Sequence, residues 1–193
     1  MVPEGFPTLT GATRTDRRWT YAELLAQAER CAHWMLGRFA PGDHICLWAP
    51  NVPEWVILQY GAALAGMVLV TANPALRAEE LRYVLKQSRS VALIHVDAFR
   101  GTDMASVAEQ MLEEVKEAFS LSRWSEVQAS RPTSAIPVVE TRAPAQLQYT
   151  SGTTGQPKGA LLHHMGIHRR AHVGRDPLAQ PRHKIKPQRG CHR

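Results

Sequence analysis

The segment "HICLWAPNVPEWVILQYGAALAGMVLVTA", His44 to Ala72, predicts the fold of this chain. It begins and ends with short apolar runs, "HICLWAP" and "MVLVTA", which indicate strands buried on both faces. Between them, Pro53 suits the first turn of a helix that runs to about Gly66. A strand, a helix and a second strand in this order predict neighbouring parallel strands joined by a helix.

The flanking sequence continues this alternation. Thr20-Tyr-Ala-Glu23 is a capping box, and apolar residues recur every three or four positions from Tyr21 to Phe39, which predicts an amphipathic helix. "SVALIHV" is a further strand candidate, and helices are predicted over Arg77 to Ser88 and Met104 to Phe119. The fold class is therefore α/β, a layered and largely parallel sheet flanked by helices.

Two stretches are assigned by composition. Residues 120–144 are rich in Ser, Pro, Thr and Arg without periodicity, which predicts a surface connection. Trp55 to Leu76 has no charge and is long enough to span a membrane. Because Gln59, Gly61, Gly66 and Asn73-Pro74 interrupt it, a buried helix, a turn and a buried strand are the better interpretation, and no transmembrane segment is predicted.

The positive charge is concentrated at one end of the chain. Of the net charge of +6, residues 1–165 carry −1 (15 Lys/Arg and 16 Asp/Glu), and residues 166–193 carry +7 (8 Lys/Arg and Asp176). From residue 166 onward, prolines, glycines and histidines occur without apolar periodicity, which predicts disorder. We therefore expect a folded domain over residues 1–167 and a basic, disordered tail over residues 168–193.

The cysteines and the N-terminal sequence indicate the cellular compartment. Cys31, Cys46 and Cys191 form no CxxC pair and are odd in number, which argues against a disulfide scaffold and favours a reducing compartment. The N-terminal sequence contains no secretory signal. A cytoplasmic location is predicted, with a mitochondrial one as the alternative.

The stretch "LQYTSGTTGQPKGALLHH", Leu147 to His164, predicts two strands joined by a polar loop. Its glycines permit unusual backbone conformations, its hydroxyls and amides can surround an anion, and Lys158 adds a positive charge. A polyphosphate is the natural ligand for such a loop. A Walker A loop is excluded, because Pro157 precedes Lys158 and Gly159 follows it.

This loop resembles the phosphate-loop signature of the adenylate-forming enzymes, which include acyl-CoA synthetases, luciferase and peptide-synthetase adenylation domains. The order and spacing of "TYAELLAQAERCAHWML", "GDHICLWAPNVPEWVILQYGAALAGMVLVTANP" and "GALLHH" extend the resemblance over about Arg18 to Ile167. Within this family the sequence is most similar to fatty acyl-CoA synthetases of medium-chain type. The chain is therefore interpreted as an incomplete N-terminal part of that fold.

The resemblance implies a two-step reaction, in which a carboxylic acid and Mg-ATP form an acyl-adenylate and coenzyme A then displaces AMP. It implies ATP, Mg²⁺ and coenzyme A as cofactors, and a nucleotide and a fatty acid as binding partners. The ATP phosphates would be held by seven residues: Thr150, Ser151, Gly152, Thr153, Thr154, Gly155 and Lys158. The family's magnesium, ribose and lid residues lie downstream of this loop, so no catalytic residue is assigned.

Several alternatives follow from the residues near the C-terminus. The change of composition near residue 168 is interpreted as a truncated gene product with little or no activity alone, and a further interpretation is a fragment that pairs with a full-length relative. The basic tail could instead make the chain a binding or regulatory protein, although without aromatic residues it predicts no specific nucleic-acid recognition. His164, His168 and His172 have helical spacing but no acidic or cysteine partner, so no metal site is predicted.

Overall fold

The computed structural model describes residues 18–132, 135–150 and 157–173, and for residues 150 and 170–173 it describes the backbone only. Helices and strands alternate along these ranges. Their bounds are α1 Tyr21–Leu36, β1 His44–Trp48, α2 Pro53–Leu64, β2 Val68–Ala72, α3 Ala78–Ser88, β3 Ser90–His95, β4 Ala98–Phe99, β5 Thr102–Asp103, α4 Met104–Gln110, β6 Glu117–Ser120, α5 Trp124–Gln128, β7 Pro144–Thr150, β8 Lys158–His163 and α6 His164–Val173.

Six of these strands form one sheet in the order β6-β3-β1-β2-β7-β8. Every neighbouring pair is parallel except β7 and β8, which are antiparallel. Strands β4 and β5 form a separate two-stranded hairpin. The predicted layered, largely parallel α/β fold is confirmed.

Strand β1 lies at the centre of the sheet and is buried on both faces. Ile45 and Leu47 point into an apolar cluster with α1, α2 and α5, whereas Cys46 and Trp48 point into a second cluster with α3 and α4. All four side chains have no measurable exposure. The continuous apolar run of β1 is thus explained by helices on both sides of a parallel sheet.

Helix α1 begins at the predicted capping box. The Thr20 hydroxyl accepts a hydrogen bond from the Glu23 amide at 3.2 Å, and the Glu23 carboxylate accepts one from the Thr20 amide at 2.7 Å. The Thr20 hydroxyl also donates to the Glu23 carboxylate, at 3.0 Å. The bonds from the Thr20 amide and hydroxyl stabilise the ionised carboxylate and lower the pKa of Glu23. The helix ends at Leu36, three residues before the predicted end at Phe39.

Helices α1 and α2 make a close contact at Gly61. A Cβ atom added at Gly61 would lie 2.7 Å from the Cys31 sulfur and 3.2 Å from the Ala28 carbonyl oxygen. Any side chain here would therefore push the two helices apart, and glycine allows their close approach.

The predicted helix over Met104 to Phe119 is wrong beyond Gln110. After α4 a short 3-10 turn spans Met111–Glu113, and β6 then pairs with the free edge of β3. Phe119 is buried as a strand residue, with its ring centroid 4.5 Å from that of Trp34. The helical spacing of apolar residues predicts α4 correctly, but after Gln110 the chain instead forms a strand that hydrogen-bonds to β3. The local pattern does not reveal this distant partner.

The prediction of a surface connection over residues 120–144 is wrong in its first part. A 3-10 turn, Leu121–Arg123, leads into α5, and both Trp124 and Val127 on α5 are buried against the first apolar cluster. Two buried side chains in a five-residue helix give too little periodicity to be recognised in the sequence. From residue 129 to the start of β7, the described residues contain no helix or strand.

Helix α6 extends to Val173, so the expectation of disorder does not hold for residues 166–173. Residues 174–193, which make up most of the predicted basic tail, lie outside the described residues. The division into a domain over residues 1–167 and a tail over residues 168–193 stays a prediction. Among the described residues, no helix combines the length and apolar character needed to cross a membrane.

Candidate phosphate-binding hairpin

The predicted polar loop connects β7 and β8, as the sequence indicates. The two strands pair antiparallel over their length, with Pro144 opposite His163 at one end and Thr150 opposite Lys158 at the other. Thr150 is the last residue of β7 and Lys158 is the first of β8. The loop between them, residues 151–157, is therefore closed at its base by the pair that contains the lysine.

The two ends of the hairpin that flank the loop lie at the edge of the sheet where the parallel strands end. Because β7 runs parallel to β2, Thr150 lies on the same edge as Ala72, with Trp48 and His95 at the ends of the neighbouring strands. The Trp48 indole donates a hydrogen bond to the Asn73 carbonyl at 3.1 Å, which joins two of the connections at this edge. In parallel α/β sheets, ligands bind at this carboxyl edge.

The seven predicted phosphate contacts are described unequally. The structure places the backbone of Thr150 and all of Lys158 at the base of the loop. Ser151, Gly152, Thr153, Thr154 and Gly155 lie outside the described residues. Their assignment stays a prediction.

Lys158 combines two properties expected of a phosphate contact. Its side chain is exposed, and its backbone is fixed in β8 by pairing with β7. A lysine ammonium is a compact charge on a flexible stem, so a fixed backbone limits where that charge can reach. The lysine can therefore neutralise an anion held at the base of the loop.

The segment after β8 is tied back to the chain before β7. The amides of His164 and Met165 donate to the carbonyls of Ala143 and Thr141, at 3.2 and 2.8 Å. The His164 ring is partly buried and its Nε2 atom has no hydrogen-bond partner, and burial lowers the pKa of His164. Burial disfavours the charged form of the ring, because the imidazolium would lose contact with water.

Neither a metal-binding cluster nor the cavity described below coincides with the polar loop, as far as the described residues show. Residues 18–132, 135–150 and 157–173 contain no group of three or more His, Cys, Asp or Glu side chains arranged to hold a metal ion. A cavity of about 360 Å³, lined by His44, Val68, Pro144 and neighbouring residues, lies at the amino ends of β1, β2 and β7. It is therefore at the opposite edge of the sheet from the polar loop.

Sequence reasoning missed one contact at the base of the loop. Tyr149 lies directly opposite Gly159, and a Cβ atom added at Gly159 would be 3.3 Å from the Tyr149 ring atom Cζ. A hairpin in which Thr150 pairs with Lys158 also places Tyr149 opposite Gly159. The loop motif alone does not specify that pairing, because the strand register depends on which side chains the rest of the fold buries.

Comparison with known proteins supports the resemblance found in the sequence. The sequence model of the family described as AMP-binding enzyme matches residues 3–185. This match extends beyond Ile167, where the resemblance was expected to end. It therefore includes the whole of α6 and the polar loop.

The similar proteins are acyl-CoA ligases and synthetases. Human mitochondrial medium-chain acyl-CoA ligase ACSF2 is 32% identical over 184 residues, an alignment that covers 79% of this chain and 30% of ACSF2. The long-chain-fatty-acid–CoA ligase FadD13 of Mycobacterium tuberculosis is 37% identical over 163 residues, which covers 80% of this chain and 31% of FadD13. The chain thus spans about a third of the length of these curated relatives.

Solved structures agree with the sequence comparison. The inhibitor-bound N-terminal domain of FACL13 from Mycobacterium tuberculosis matches with a TM-score of 0.68 and 32% identity, over 79% of this chain and 39% of that one. Similarity of this extent in both fold and sequence indicates common descent. The chain belongs to the family of AMP-binding enzymes and corresponds to part of their N-terminal domain.

Proposed function

We propose that this chain carries the ATP phosphate-binding segment of an acid:CoA ligase that forms AMP. In the proposed reaction, a carboxylate oxygen attacks the α-phosphate of ATP, and pyrophosphate leaves. The thiol of coenzyme A then attacks the acyl carbon of the adenylate, and AMP leaves. A fatty acid is the proposed substrate class, because the similar proteins are named as a medium-chain acyl-CoA ligase and a long-chain-fatty-acid–CoA ligase.

The observation that carries this proposal is the position of Lys158. It opens an edge strand, opposite the last residue of β7, at the carboxyl edge of a parallel sheet. A loop rich in Gly, Ser and Thr offers several amides and hydroxyls, and a lysine at its base adds a positive charge. This number of donors suits the many oxygens of a polyphosphate better than the two oxygens of a carboxylate. The proposed role is to neutralise and align the β- and γ-phosphates.

This role requires positioning and electrostatics rather than covalent chemistry by the protein. The attacking oxygen and the leaving pyrophosphate must be held in line, and the charge on the phosphates must be neutralised. We assign the hydroxyls of Thr150, Ser151, Thr153 and Thr154, and the amides of Gly152 and Gly155, to the phosphate oxygens. Mg²⁺ usually binds to substrate phosphates and to one or two carboxylates. The loop would therefore hold Mg²⁺ only indirectly, by binding the ATP phosphates that coordinate it.

The test compares two exposed lysines in the purified chain. Lys158→Ala should weaken Mg-ATP binding by about 10- to 100-fold, the loss expected for a hydrogen bond to a charged group. Lys116→Ala is the matched control, because Lys116 precedes β6 at the far side of the sheet. Isothermal titration calorimetry measures the affinities, and urea unfolding measures the stability of each variant.

The outcomes separate a phosphate contact from a structural lysine. The free energy of unfolding should change by less than about 0.5 kcal/mol in both variants, as for most exposed side chains. Equal loss of ATP affinity in both variants, or loss of stability in parallel with affinity for Lys158→Ala, would contradict the proposal. Thioester formation by the purified chain, measured with several fatty acids, tests the ligase activity itself.

A second candidate function rests on the charge of residues 166–193. Eight Lys/Arg and a single acid in this segment favour binding to an anionic polymer or surface. RNA retention that falls with rising salt, and disappears when residues 174–193 are removed, would support a binding role over the ligase role. Co-purification with a full-length relative would instead support the proposed pairing.

A further inference from the structure

The side chain of Tyr149 crosses from β7 to β8 immediately before the polar loop. Tyr149 pairs with Gly159, and the next pair toward the loop is Thr150 with Lys158. A Cβ atom added at Gly159 would lie 3.3 Å from the Tyr149 ring atom Cζ and 3.1 Å from the Leu147 methyl Cδ1. The ring and the leucine thus occupy the space that a side chain at Gly159 would need.

The Tyr149 ring also packs against the body of the domain. It packs with Leu147 against the second apolar cluster, to which Cys46 of β1 and Tyr83 of α3 contribute. Partial burial, with Tyr83 and Cys46 nearby, raises the pKa of Tyr149 to about 12. The hydroxyl is therefore neutral at physiological pH, and the ring acts as a fixed apolar surface.

Strand β8 needs such a contact more than the other strands do. It is the last strand of the described sheet, and Lys158, Gly159, Ala160 and Leu161 are all exposed. Glycine in a strand lacks a side chain to pack and loses more conformational entropy on ordering than other residues. An aromatic ring placed over an edge-strand glycine compensates for both deficits.

We propose that Tyr149 is a positioning residue that covers Gly159 and thereby fixes Lys158 at the base of the loop. The contact adds side-chain packing against the body of the domain to the backbone pairing with β7 that already holds this strand. Its consequence for ATP binding rests on the proposed function. The positioning of β8 does not, because it concerns the backbone of the hairpin alone.

Gly159 is the residue of β8 that the Tyr149 ring contacts, and a substitution there also tests the contact. Because the ring lies against the glycine, any added side chain must displace Tyr149 or Leu147 or move the β8 backbone by a few tenths of an ångström. Gly159→Ala should therefore disturb the base of the loop even though the core residues are unchanged. This variant tests the contact without removing a large side chain from the domain.

The experiment measures hydrogen exchange and ATP affinity on the full chain in four variants. In Tyr149→Ala and Gly159→Ala, the paired amides of β8 should exchange at least about tenfold faster, and Mg-ATP affinity should fall about tenfold. Tyr149→Phe should retain both properties, since the ring alone makes the contact. Val70→Ala is the control, because Val70 is buried in the same cluster but on β2.

Each result decides the inference. If Val70→Ala, at equal loss of global stability, accelerates exchange in β8 as much as Tyr149→Ala does, Tyr149 is an ordinary core residue and the inference is wrong. Equal effects of Tyr149→Phe and Tyr149→Ala, or unchanged ATP affinity in Tyr149→Ala, would also overturn it. If the wild-type chain binds no ATP, the proposed function fails, while the exchange rates still decide whether Tyr149 fixes β8.

Discussion

The central strands β1, β2 and β3 and the hairpin β7–β8 belong to the same sheet but differ in almost every other respect. The central strands are covered by helices on both faces, and most of their side chains are buried. The hairpin lies at the edge, and most of β8 is exposed. Lys158 and the polar loop belong to the hairpin, so stability and the proposed phosphate binding depend on different residues.

This separation has a physical cause. Burying a charge in a central strand is costly, because removing an ion from water costs several kcal/mol. A phosphate site needs a cation near solvent together with accessible amides. The edge of the sheet can supply both, while the centre supplies a rigid base beside the hairpin. Substitutions in the two regions should therefore have different effects.

The largest expected effect comes from the centre of the sheet. Leu47→Ala should lower the free energy of unfolding by about 2–5 kcal/mol, because Leu47 is fully buried and a cavity would remain. Leu161→Ala on β8 is the matched substitution in the hairpin, and it should cost less than about 1 kcal/mol since Leu161 is 46% exposed. Urea unfolding measures both values, and similar losses would remove the distinction between the two regions.

The next effect concerns the contact between α1 and α2. Gly61→Ala should lower the free energy of unfolding by about 1–3 kcal/mol, because its methyl group would overlap the Cys31 side chain. Combining it with Cys31→Ala, which removes the sulfur, should recover part of the loss. An additive double variant would show that the two helices adjust independently of this contact.

The smallest effect appears at alkaline pH. Burial raises the pKa of the Cys31 and Cys46 thiols, so they stay protonated in the folded chain while the same thiols ionise on unfolding. The contribution of each protonated thiol to the free energy of unfolding is fully present below the pKa of 9.0 that the thiol has in the unfolded chain. It is lost as the pH rises above that pKa, by about 1 kcal/mol per thiol near pH 10.

Cys46→Ala should make the free energy of unfolding less dependent on pH between about pH 8 and 10. Tyr149→Phe, its counterpart in the hairpin, should change this dependence only above pH 10, because the pKa of Tyr149 is raised to about 12. Urea unfolding at several pH values measures both slopes. Equal slopes for the wild type and Cys46→Ala would show that the buried thiol does not contribute.

Two elements differ from their sequence-based predictions for the same physical reason. Strand β6 was predicted as the end of a helix, because the apolar residues up to Phe119 fit helical spacing as well as strand pairing. Helix α5 was missed because it buries only Trp124 and Val127. In both cases a distant element supplied the partners: β3 for β6, and the first apolar cluster, including α1, for α5.

The sequence by itself determined the order of β1, α2, β2, α3 and β3, the capped start of α1 and the hairpin whose second strand begins near Lys158. These features depend on local periodicity, caps and turn residues, which neighbours in the sequence encode. Only the tertiary structure decided the strand order, the identity of β6 and the contact of Tyr149 with Gly159. Those features depend on which backbones and side chains meet across the sheet, and residues far apart in the sequence set that outcome.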